Sequence, residues 1–357
     1  MDICEIRHKL HNNPGVSAHE EFAHDLVSFE LAKLAPTELH QHVGGYGCVA
    51  FWKSSTTNAK TLAFRADIDA LPSGHCCGHD GHTAILLRFA SMIAREQLKY
   101  NVVLIFQPEE ETGKGAKKIV QSGLLQQYGV DAVFGLHNIP GYTKGSVLLN
   151  KGTFAAASCG VLYRLIGRQT HASTPEKGLN PGLAIAKIIE RMHKLNNYSG
   201  SSLRLSTLIC CRIGTEAYGT SPGMGEVMFT LRTDSNDKMT ELMSAADGIA
   251  LEEARNAGLE LEKQVKEPFR ATENSPAIVE QLNSIFSTTN NVVMMDKCFR
   301  WSEDFAEYLK VFPGAFFGLG SGENQPELHN PYYDFPDDII DLGANCFHNI
   351  LDNIKID

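Results

Sequence analysis

The sequence predicts an α/β fold in which a discontinuous main domain, with a mostly parallel central sheet and helices on both faces, carries an inserted ferredoxin-like domain. Strand-like and helix-like segments alternate along the first half of the chain, and this pattern returns after Pro268. Strands that alternate with helices in this way pair in parallel. Between the two stretches, from about Ala157, the order becomes βαββαβ, which is the split βαβ arrangement. We therefore predict one domain over 1–157 and 268–357 and a satellite, dimerisation or lid domain over 158–267.

The first half supplies the alternating elements in order. An amphipathic helix with a Pro-Gly break opens the chain, and the strand-like segments GCVAFW and TLAFRAD follow. A helix is predicted over 83–98, since apolar residues recur there at helical spacing: Ile85, Leu86, Phe89, Met92 and Ile93. NVVLIFQ, a helix over 116–125 and DAVFGLH complete this part of the chain.

The inserted domain and the closing part follow the same reasoning. Hydrophobic patterning predicts strands over 160–167, 203–213, 226–232 and 259–266, with helices over 181–195 and 238–257. The main domain then resumes with a helix from Pro276 and a strand at AFFGLG. Its closing amphipathic helix contains Ile339, Phe347, Ile350, Leu351 and Ile354.

Composition narrows the class of protein. The chain has 357 residues, of which 43% are hydrophobic and 21% charged, as expected of a soluble protein with two cores. No segment reaches the roughly 18 consecutive apolar residues of a membrane span, and the charged N-terminus lacks a signal peptide pattern. A net charge of -10 argues against nucleic acid as a partner. We expect a cytoplasmic protein whose nine cysteines are mostly buried free thiols.

The segment 73–82, SGHCCGHDGH, is the strongest chemical signal. Three histidines, two cysteines and an aspartate lie within eight positions, between a predicted strand and a predicted helix. Imidazole, thiolate and carboxylate are the side-chain ligands that zinc and related divalent metals accept. The alternative is a polar loop at a helix start whose histidines are unrelated, but this density favours a metal site.

Three further segments join this signal. Three consecutive glutamates, 109–111, follow the strand NVVLIF, and they form either a solvated acidic turn or a ligand and general base beside a dication. His137 and His329, taken singly, are each more typical of structural histidines. However, Asp67, Asp69, the glutamates and His137 all fall at the carboxyl edge of the predicted sheet, where functional groups gather in open α/β folds.

With these motifs in place, the chain resembles the amidohydrolase branch of the aminoacylase and carboxypeptidase metallopeptidase family. That branch includes hippurate hydrolase, auxin-conjugate hydrolases, N-acetyldiaminopimelate deacetylase and other N-acyl-amino-acid deacylases. The matching stretches run through the whole chain in the order of the family: RHKLHNNPG, RADIDALP, CGHDGHTA, FQPEEETGKGA, GLHN, GRQTHASTPEKGLNP, FTLRT, SEDFA and LHNPYYDFPDD.

The resemblance implies two divalent metal ions (Zn, Mn, Co or Ni) and a role for each matching residue. The implied metal ligands are Cys77, His79, Glu111, His137 and His329. Glu110 takes the general acid/base position, and His171 is a polar contact to the substrate carbonyl or its oxyanion. Arg232 faces the substrate carboxylate or is a structural arginine, and Asp69, Asp80 and Glu303 orient the ligands through hydrogen bonds. A homodimer or higher homo-oligomer is implied as well.

The resemblance also implies the reaction, which is hydrolysis of N-acyl-L-amino acids (acetyl or aroyl) to a carboxylate and a free amino acid. A dipeptidase or carboxypeptidase of the wider family is the first alternative, although Cys77 favours the amidohydrolase branch. A catalytically weak metal-binding homologue is the second. It is motivated by the short loop between Pro72 and the Cys/His cluster and by Gly219, where relatives usually have Asn.

Overall fold

The computed structural model describes residues 2–197 and 202–356. The chain divides into two compact units. The first unit consists of Met1–Phe154, Thr272–Cys298 and Glu303–Asp357, and the second of Ala155–Ala271 and Phe299–Ser302. The predicted domain boundaries lie after residues 157 and 267, and they remain a prediction. No helix in the described ranges is long and apolar enough to cross a membrane.

The first unit contains an eight-stranded sheet and most of the helices. Its elements in chain order are α1 (Ile3–His11), α2 (Glu21–Lys33), β1 (Glu38–Val43), β2 (Gly47–Trp52), β3 (Thr61–Asp67), α3 (His79–Ile93), β4 (Asn101–Gln107), α4 (Gly115–Gln121), α5 (Leu124–Gln127), β5 (Val130–Pro140), β6 (Val147–Leu149), α8 (Pro276–Phe286), β13 (Val292–Met294), α9 (Ala306–Leu309), β14 (Gly314–Gly322) and α10 (Ile340–Asn353).

The sheet of the first unit confirms the predicted α/β class. Its strand order is β1-β2-β4-β3-β5-β14-β6-β13, and four of the seven neighbouring pairs are parallel. The central strands β4, β3, β5 and β14 form one parallel block. Every residue of β3 is buried, as expected when helices cover both faces of a parallel sheet. On these strands pack α3 and α10, whose apolar faces belong to the same hydrophobic core.

The second unit is built on a four-stranded antiparallel sheet of order β12-β7-β11-β9. Its elements are β7 (Ala157–Ile166), β8 (Thr170–His171), α6 (Gly182–His193), β9 (Arg204–Ile213), β10 (Thr220–Ser221), β11 (Met224–Thr233), α7 (Asn236–Asn256) and β12 (Glu260–Phe269). The main elements thus follow the predicted order βαββαβ. Apolar residues of β7, β11, α6 and α7 form a separate core.

Two of the predicted helices differ from the observed ones. The helix predicted over 83–98 is α3, which begins four residues earlier because Gly78, at φ 94°, ends the preceding loop in a left-handed conformation. It also ends five residues earlier than predicted, at Ile93. The segment predicted as one helix over 116–125 forms α4 and α5. They are separated at Gly123, whose φ of 80° interrupts a continuous helix. The strand β1 was not predicted, because its sequence, ELHQHV, is mostly polar and lies at the edge of the sheet.

Gly81, in α3, leaves room for the ring of Phe335. A Cβ atom at this position would lie 2.2 Å from two ring carbons. We predict that Gly81→Ala lowers the free energy of unfolding by about 1–3 kcal/mol, since overpacking in a well-packed region forces neighbours to shift. Urea denaturation measures this change.

Gly248, in α7, provides the matched control. A Cβ there meets no atom within 4 Å among the described residues, so Gly248→Ala should raise stability by up to about 1 kcal/mol through helix propensity. Equal stability of Gly81→Ala and the wild type would show that Phe335 moves aside without cost.

Candidate metal centre

Three neighbouring parallel strands deliver polar residues to one edge of the first unit's sheet. Strand β3 ends at Asp67, which pairs in register with Gln107 at the end of β4. Asp69 follows β3, and Glu110 and Glu111 follow β4. Because β5 is also parallel to β3, its residue His137 reaches the same side of the sheet. Such carboxyl-terminal edges are where open α/β folds collect functional groups.

The Cys/His loop enters this edge through a close approach of the Gly78 backbone to the side chain of Asn138. Gly78 caps the start of α3, and a Cβ at Gly78 would lie 2.6 Å from the side-chain oxygen of Asn138. Only glycine fits here without displacing that amide. Cys77 and His79, on either side of this glycine, are therefore fixed beside β5.

The five predicted metal ligands lie together. The Cys77 Sγ is 3.6 Å from His137 Nε2 and 3.5 Å from His329 Nε2. The Glu111 Oε1 is 3.8 Å from His79 Nε2 and 4.0 Å from His329 Nε2. The side chains come from four separate segments of the sequence, and they bring a thiol, three imidazoles and a carboxylate around a space of cation size.

The clustering indicates two overlapping ligand sets. The potential ligand atoms of Cys77, His79 and His137 all lie within 4.8 Å of one another, and the same holds for Cys77, Glu111 and His329. Both sets contain Cys77. Cys77 would therefore be a ligand residue common to both sets.

A further cluster of this kind has ligand atoms that are already hydrogen-bonded within the protein. Asp67, His79 and His82 also lie within 4.8 Å, but the His82 Nδ1 bonds Asp67 Oδ1 at 2.6 Å and its Nε2 bonds Asn138. The second oxygen of Asp67 accepts a bond from Arg65 at 2.6 Å. His82 and Asp67 are thus committed to protein contacts.

The side chains in the cluster fit a pair of divalent cations. The His79 Nε2 and the Glu111 Oε1 are buried, and neither forms a hydrogen bond with any part of the chain that the structure describes. A buried polar atom without a partner is costly, and a shared cation removes that cost. Nitrogen, sulfur and oxygen donors in this mixture suit zinc and its first-row neighbours.

The ring orientation of two histidines supports the same assignment. The Nδ1 of His79 lies 3.0 Å from the backbone oxygen of Asp69, and the Nδ1 of His137 lies 2.9 Å from that of Asn138. When Nδ1 donates to a carbonyl, the lone pair is left on Nε2, which is the ligand form. In both residues the Nε2 faces the cluster.

The environment of Glu110 differs from that of the proposed ligands. It is 6% exposed, and its Oε1 accepts a hydrogen bond from the backbone N–H of Asp304 at 3.4 Å. Burial, with repulsion from Glu303, Glu111 and Asp304, raises the pKa of Glu110 well above the usual range for a glutamate. A raised pKa moves a carboxyl toward the range in which it can both take up and release a proton, as an acid/base catalyst must.

Burial dominates the titration of the cluster. It raises the pKa of the Cys77 thiol and, against the opposing effect of His79, raises the pKa of Glu111 to about 7. Burial lowers the pKa of His137 well below its ordinary value. A bound dication would lower the pKa of the Cys77 thiol and of the Glu111 carboxyl, because it favours their charged forms.

Behind Glu110 lies a buried network centred on Arg65. Its guanidinium donates to Asp67 at 2.6 Å and to Glu303 and Asp304, both at 2.9 Å. Asp304 also accepts from the Gln107 amide at 2.8 Å. Burial raises the pKa of Asp304 to about 8, although Arg65 acts in the opposite direction.

The remaining residues predicted from the sequence have identifiable contacts. The Asp69 Oδ2 accepts from the backbone N–H of Glu111 at 3.0 Å, and Asp80 bonds Arg7 at 3.3 Å and His11 at 2.9 Å. The second unit holds the other two residues. The His171 Nδ1 lies 2.7 Å from Ser173 Oγ, and Arg232 donates to the Arg300 carbonyl at 2.7 Å.

Several residues of the site were not identified from the sequence, chiefly Arg65, His82, Asn138 and Asp304. The signal for Arg65 was present, since a charged residue in the apolar strand TLAFRAD must be paired when that strand is buried. Asn138 and Asp304 gave no such signal, because their contacts join segments distant in sequence.

The chain was compared with known proteins. It is 28% identical to an uncharacterized hydrolase of Staphylococcus aureus (strain MRSA252), over 99% of this chain and 98% of the relative. Two solved structures share the fold. One is the Bacillus subtilis YXEP protein, described as a dinuclear metal binding peptidase of the M20 family, with a TM-score of 0.85 and 23% identity over 99% of this chain and 98% of that one. The other is an aminobenzoyl-glutamate utilization protein of Klebsiella pneumoniae, with a TM-score of 0.75 and 20% identity over 99% of this chain and 96% of that one.

A sequence profile settles the family. The profile of peptidase family M20/M25/M40 matches residues 63–353, which include β3, the Cys/His loop, the glutamates after β4 and the segment that carries His329. The match covers well over half of the chain. The chain therefore belongs to peptidase family M20/M25/M40 and is a hydrolase.

Proposed function

We propose that this hydrolase cleaves the amide bond of N-acyl-L-amino acids, with an acetyl or aroyl acyl group, and releases a carboxylate and a free amino acid. The observation that carries the proposal is the convergence of Cys77, His79, Glu111, His137 and His329 beside the buried carboxyl of Glu110. Ligands around a cation-sized space next to a free carboxyl are the arrangement that metal-assisted hydrolysis requires.

Two further points support the substrate class. Cys77 occupies a position at which the peptidase branches of the wider family usually have other ligands, as the resemblance implies. The Klebsiella relative is named for aminobenzoyl-glutamate, a compound in which an aroyl group is joined to the nitrogen of an amino acid. An N-acyl amino acid has the same linkage.

The proposed cofactor is a pair of divalent cations, Zn, Mn, Co or Ni, held by the two ligand sets that share Cys77. When bound, such cations supply Lewis-acid polarisation of the substrate carbonyl and lower the pKa of water. Asp69 holds two of the ligand residues, since it contacts His79 through its backbone oxygen and the Glu111 amide through its carboxylate.

Glu110 is the proposed general base and acid. As a carboxylate it takes the proton from the attacking water, and as a carboxylic acid it returns that proton to the leaving amine. Burial and the neighbouring carboxylates raise its pKa, which favours uptake of that proton. The N–H of Asp304 holds one oxygen in place, and the other remains for the substrate.

His171 and Arg232 are proposed to contact the substrate. His171 is exposed, with Nδ1 bonded to Ser173, and its role would be donation to the developing oxyanion. Arg232 would bind the substrate carboxylate. Its Nη1 already donates to the Arg300 carbonyl and the Ser302 hydroxyl, which leaves its other N–H groups for a ligand.

Substrate choice and the glutamate role are tested together. We expect the metal-loaded protein to release free amino acid from a panel of N-acetyl and N-benzoyl amino acids faster than it cleaves dipeptides. Glu110→Gln should lower kcat by about 100- to 10,000-fold, which is the usual contribution of a general acid/base. Amine release is followed by a colorimetric assay, and metal content by elemental analysis.

The matched control is Glu307→Gln, a partly exposed glutamate of α9 that should keep wild-type kcat. Faster cleavage of dipeptides would assign a dipeptidase or carboxypeptidase instead. No turnover of any panel member by metal-loaded protein would favour a metal-binding homologue without strong catalysis.

Metal binding should weaken as the pH falls. A thiol and a carboxyl must lose protons to become ligands, and the pKa of Glu111 is raised to about 7 before the metal binds. Below that pH the carboxyl is protonated and competes with the cation. Affinity should therefore rise with pH by about tenfold per pH unit for each proton released. Calorimetry in buffers of different ionisation enthalpy measures both quantities.

Cys77→Ala should lower the metal content and the number of protons released. Cys76→Ala is the control, since that neighbouring thiol is equally buried but its Sγ lies 3.5 Å from the Ser73 carbonyl rather than beside the ligands. Unchanged metal content in Cys77→Ala would contradict the ligand assignment.

A homodimer or higher homo-oligomer is proposed through strand β9. This strand ends the sheet of the second unit within the described residues, and it exposes Leu208 and Ile209. An exposed apolar edge strand is a ready surface for pairing with another chain. Ile209→Lys should yield monomers in sedimentation velocity, whereas Leu183→Lys, at an exposed site on α6, should not. A wild-type monomer at micromolar concentration would contradict the proposal.

A further inference from the structure

A short segment before α2, residues 15–20, lies against the loops of the candidate metal centre. The backbone oxygen of Gly15 accepts a hydrogen bond from the Ala70 N–H at 2.8 Å, just after β3. Ser17 donates its hydroxyl to Asp69 Oδ2 at 2.7 Å. The segment ends at Glu20, whose side chain turns inward and is 0% exposed.

Glu20 holds two backbone amides with a single oxygen. Its Oε1 accepts from the N–H of Ala18 and from the N–H of Glu109, both at 2.9 Å. The other oxygen, Oε2, is buried and forms no hydrogen bond within the described ranges. Burial raises the pKa of Glu20 to about 7, although the amide hydrogen bonds that its side chain accepts act in the opposite direction.

Both of the bonded amides belong to residues in an unusual backbone conformation. Ala18 has φ 69° and Glu109 has φ 54°, in the left-handed region that residues other than glycine seldom adopt. Such conformations persist only where surrounding contacts enforce them, and they concentrate at functional sites. Glu20 supplies one such contact to each of the two residues.

Hydrogen bonds hold the backbone on both sides of Glu110, the proposed base. On one side of Glu110, the N–H of Glu109 donates to Glu20. On the other side, the N–H of Glu111 donates to Asp69 Oδ2 at 3.0 Å. Among the described residues, the carboxyl of Glu110 itself has only the long bond from the Asp304 N–H, so its direction depends on this backbone.

We propose that Glu20 is a positioning residue, which fixes the backbone before Glu110 through the Glu109 amide and thereby aims the general base at the substrate. The proposal rests on the proposed function for its effect on the rate. The effect of Glu20 on the loop does not depend on the proposed function, because the hydrogen bond from Glu109 orders this backbone whatever the substrate is.

The test compares three variants of the metal-loaded, full-length enzyme. Glu20→Ala removes the acceptor. Glu20→Gln keeps an oxygen for the two amides and places its NH2 group where Oε2 lies. Glu30→Ala is the matched control, a buried glutamate on α2 that pairs with Lys33 at 2.7 Å. The measurements are kcat and KM on the best N-acyl amino acid, metal content, and hydrogen exchange of the peptide spanning 107–115.

We expect Glu20→Ala to lower kcat by about 10- to 100-fold with little change in KM, since misplacing a catalytic group acts on the chemical step. The metal content should equal that of the wild type, and exchange over 107–115 should become faster. Glu20→Gln should regain most of the lost kcat and of the protection. Glu30→Ala should match the wild type in both measurements.

Other outcomes would overturn the proposal. These are wild-type kcat in Glu20→Ala, unchanged exchange over 107–115, or the same loss in Glu30→Ala as in Glu20→Ala. A loss of kcat that is matched by loss of metal, and not regained by Glu20→Gln, would assign a general structural role. Should the wild type cleave no member of the panel, the proposed function fails, and the exchange contrast between Glu20→Ala and Glu30→Ala still decides whether Glu20 orders the loop.

Discussion

The buried guanidinium of Arg65 is the contact on which the site depends. It joins the end of β3 to the Glu303–Asp304 pair, so that two distant parts of the chain share one cation. Burying a charge is costly unless it is paired and hydrogen-bonded, and removing one partner leaves the others uncompensated. Arg65 thereby fixes the Asp304 N–H, which in turn contacts Glu110.

One guanidinium does not neutralise all the acids gathered at this edge of the sheet. Arg65 faces three carboxyls directly, and Glu110 and Glu111 lie just beyond them. The raised pKa values of these two glutamates and of Asp304 reflect that excess of negative charge together with burial. A pair of dications would supply the missing positive charge, which gives an electrostatic reason for metal binding that is independent of the ligand geometry.

Sequence patterns identified the features that depend on local periodicity and on the local density of reactive side chains. The apolar spacing of α3, the buried run of β3 and the order of the second unit's elements were all readable, as was the density of Cys and His before α3. Contacts between distant segments were not. The hydrogen bond between Glu20 and the Glu109 amide spans 89 positions, and nothing in HEEFAH distinguishes Glu20 from its neighbour Glu21. Likewise, a polar edge strand such as β1 acquires its conformation from β2 rather than from its own residues.

The loop that carries Glu110 is held mainly by charged acceptors. Asp69 and Glu20 accept its flanking amides, and such bonds are stronger than those to neutral groups. The same carboxylates add negative charge to a crowded region, so the contacts that order the loop also destabilise it electrostatically while no cation is present. Bound metal offsets that repulsion and leaves the ordering contacts intact. A ligand that binds preferentially to the ordered state of the loop stabilises that state. Metal binding and the positioning of Glu110 are therefore expected to be thermodynamically linked.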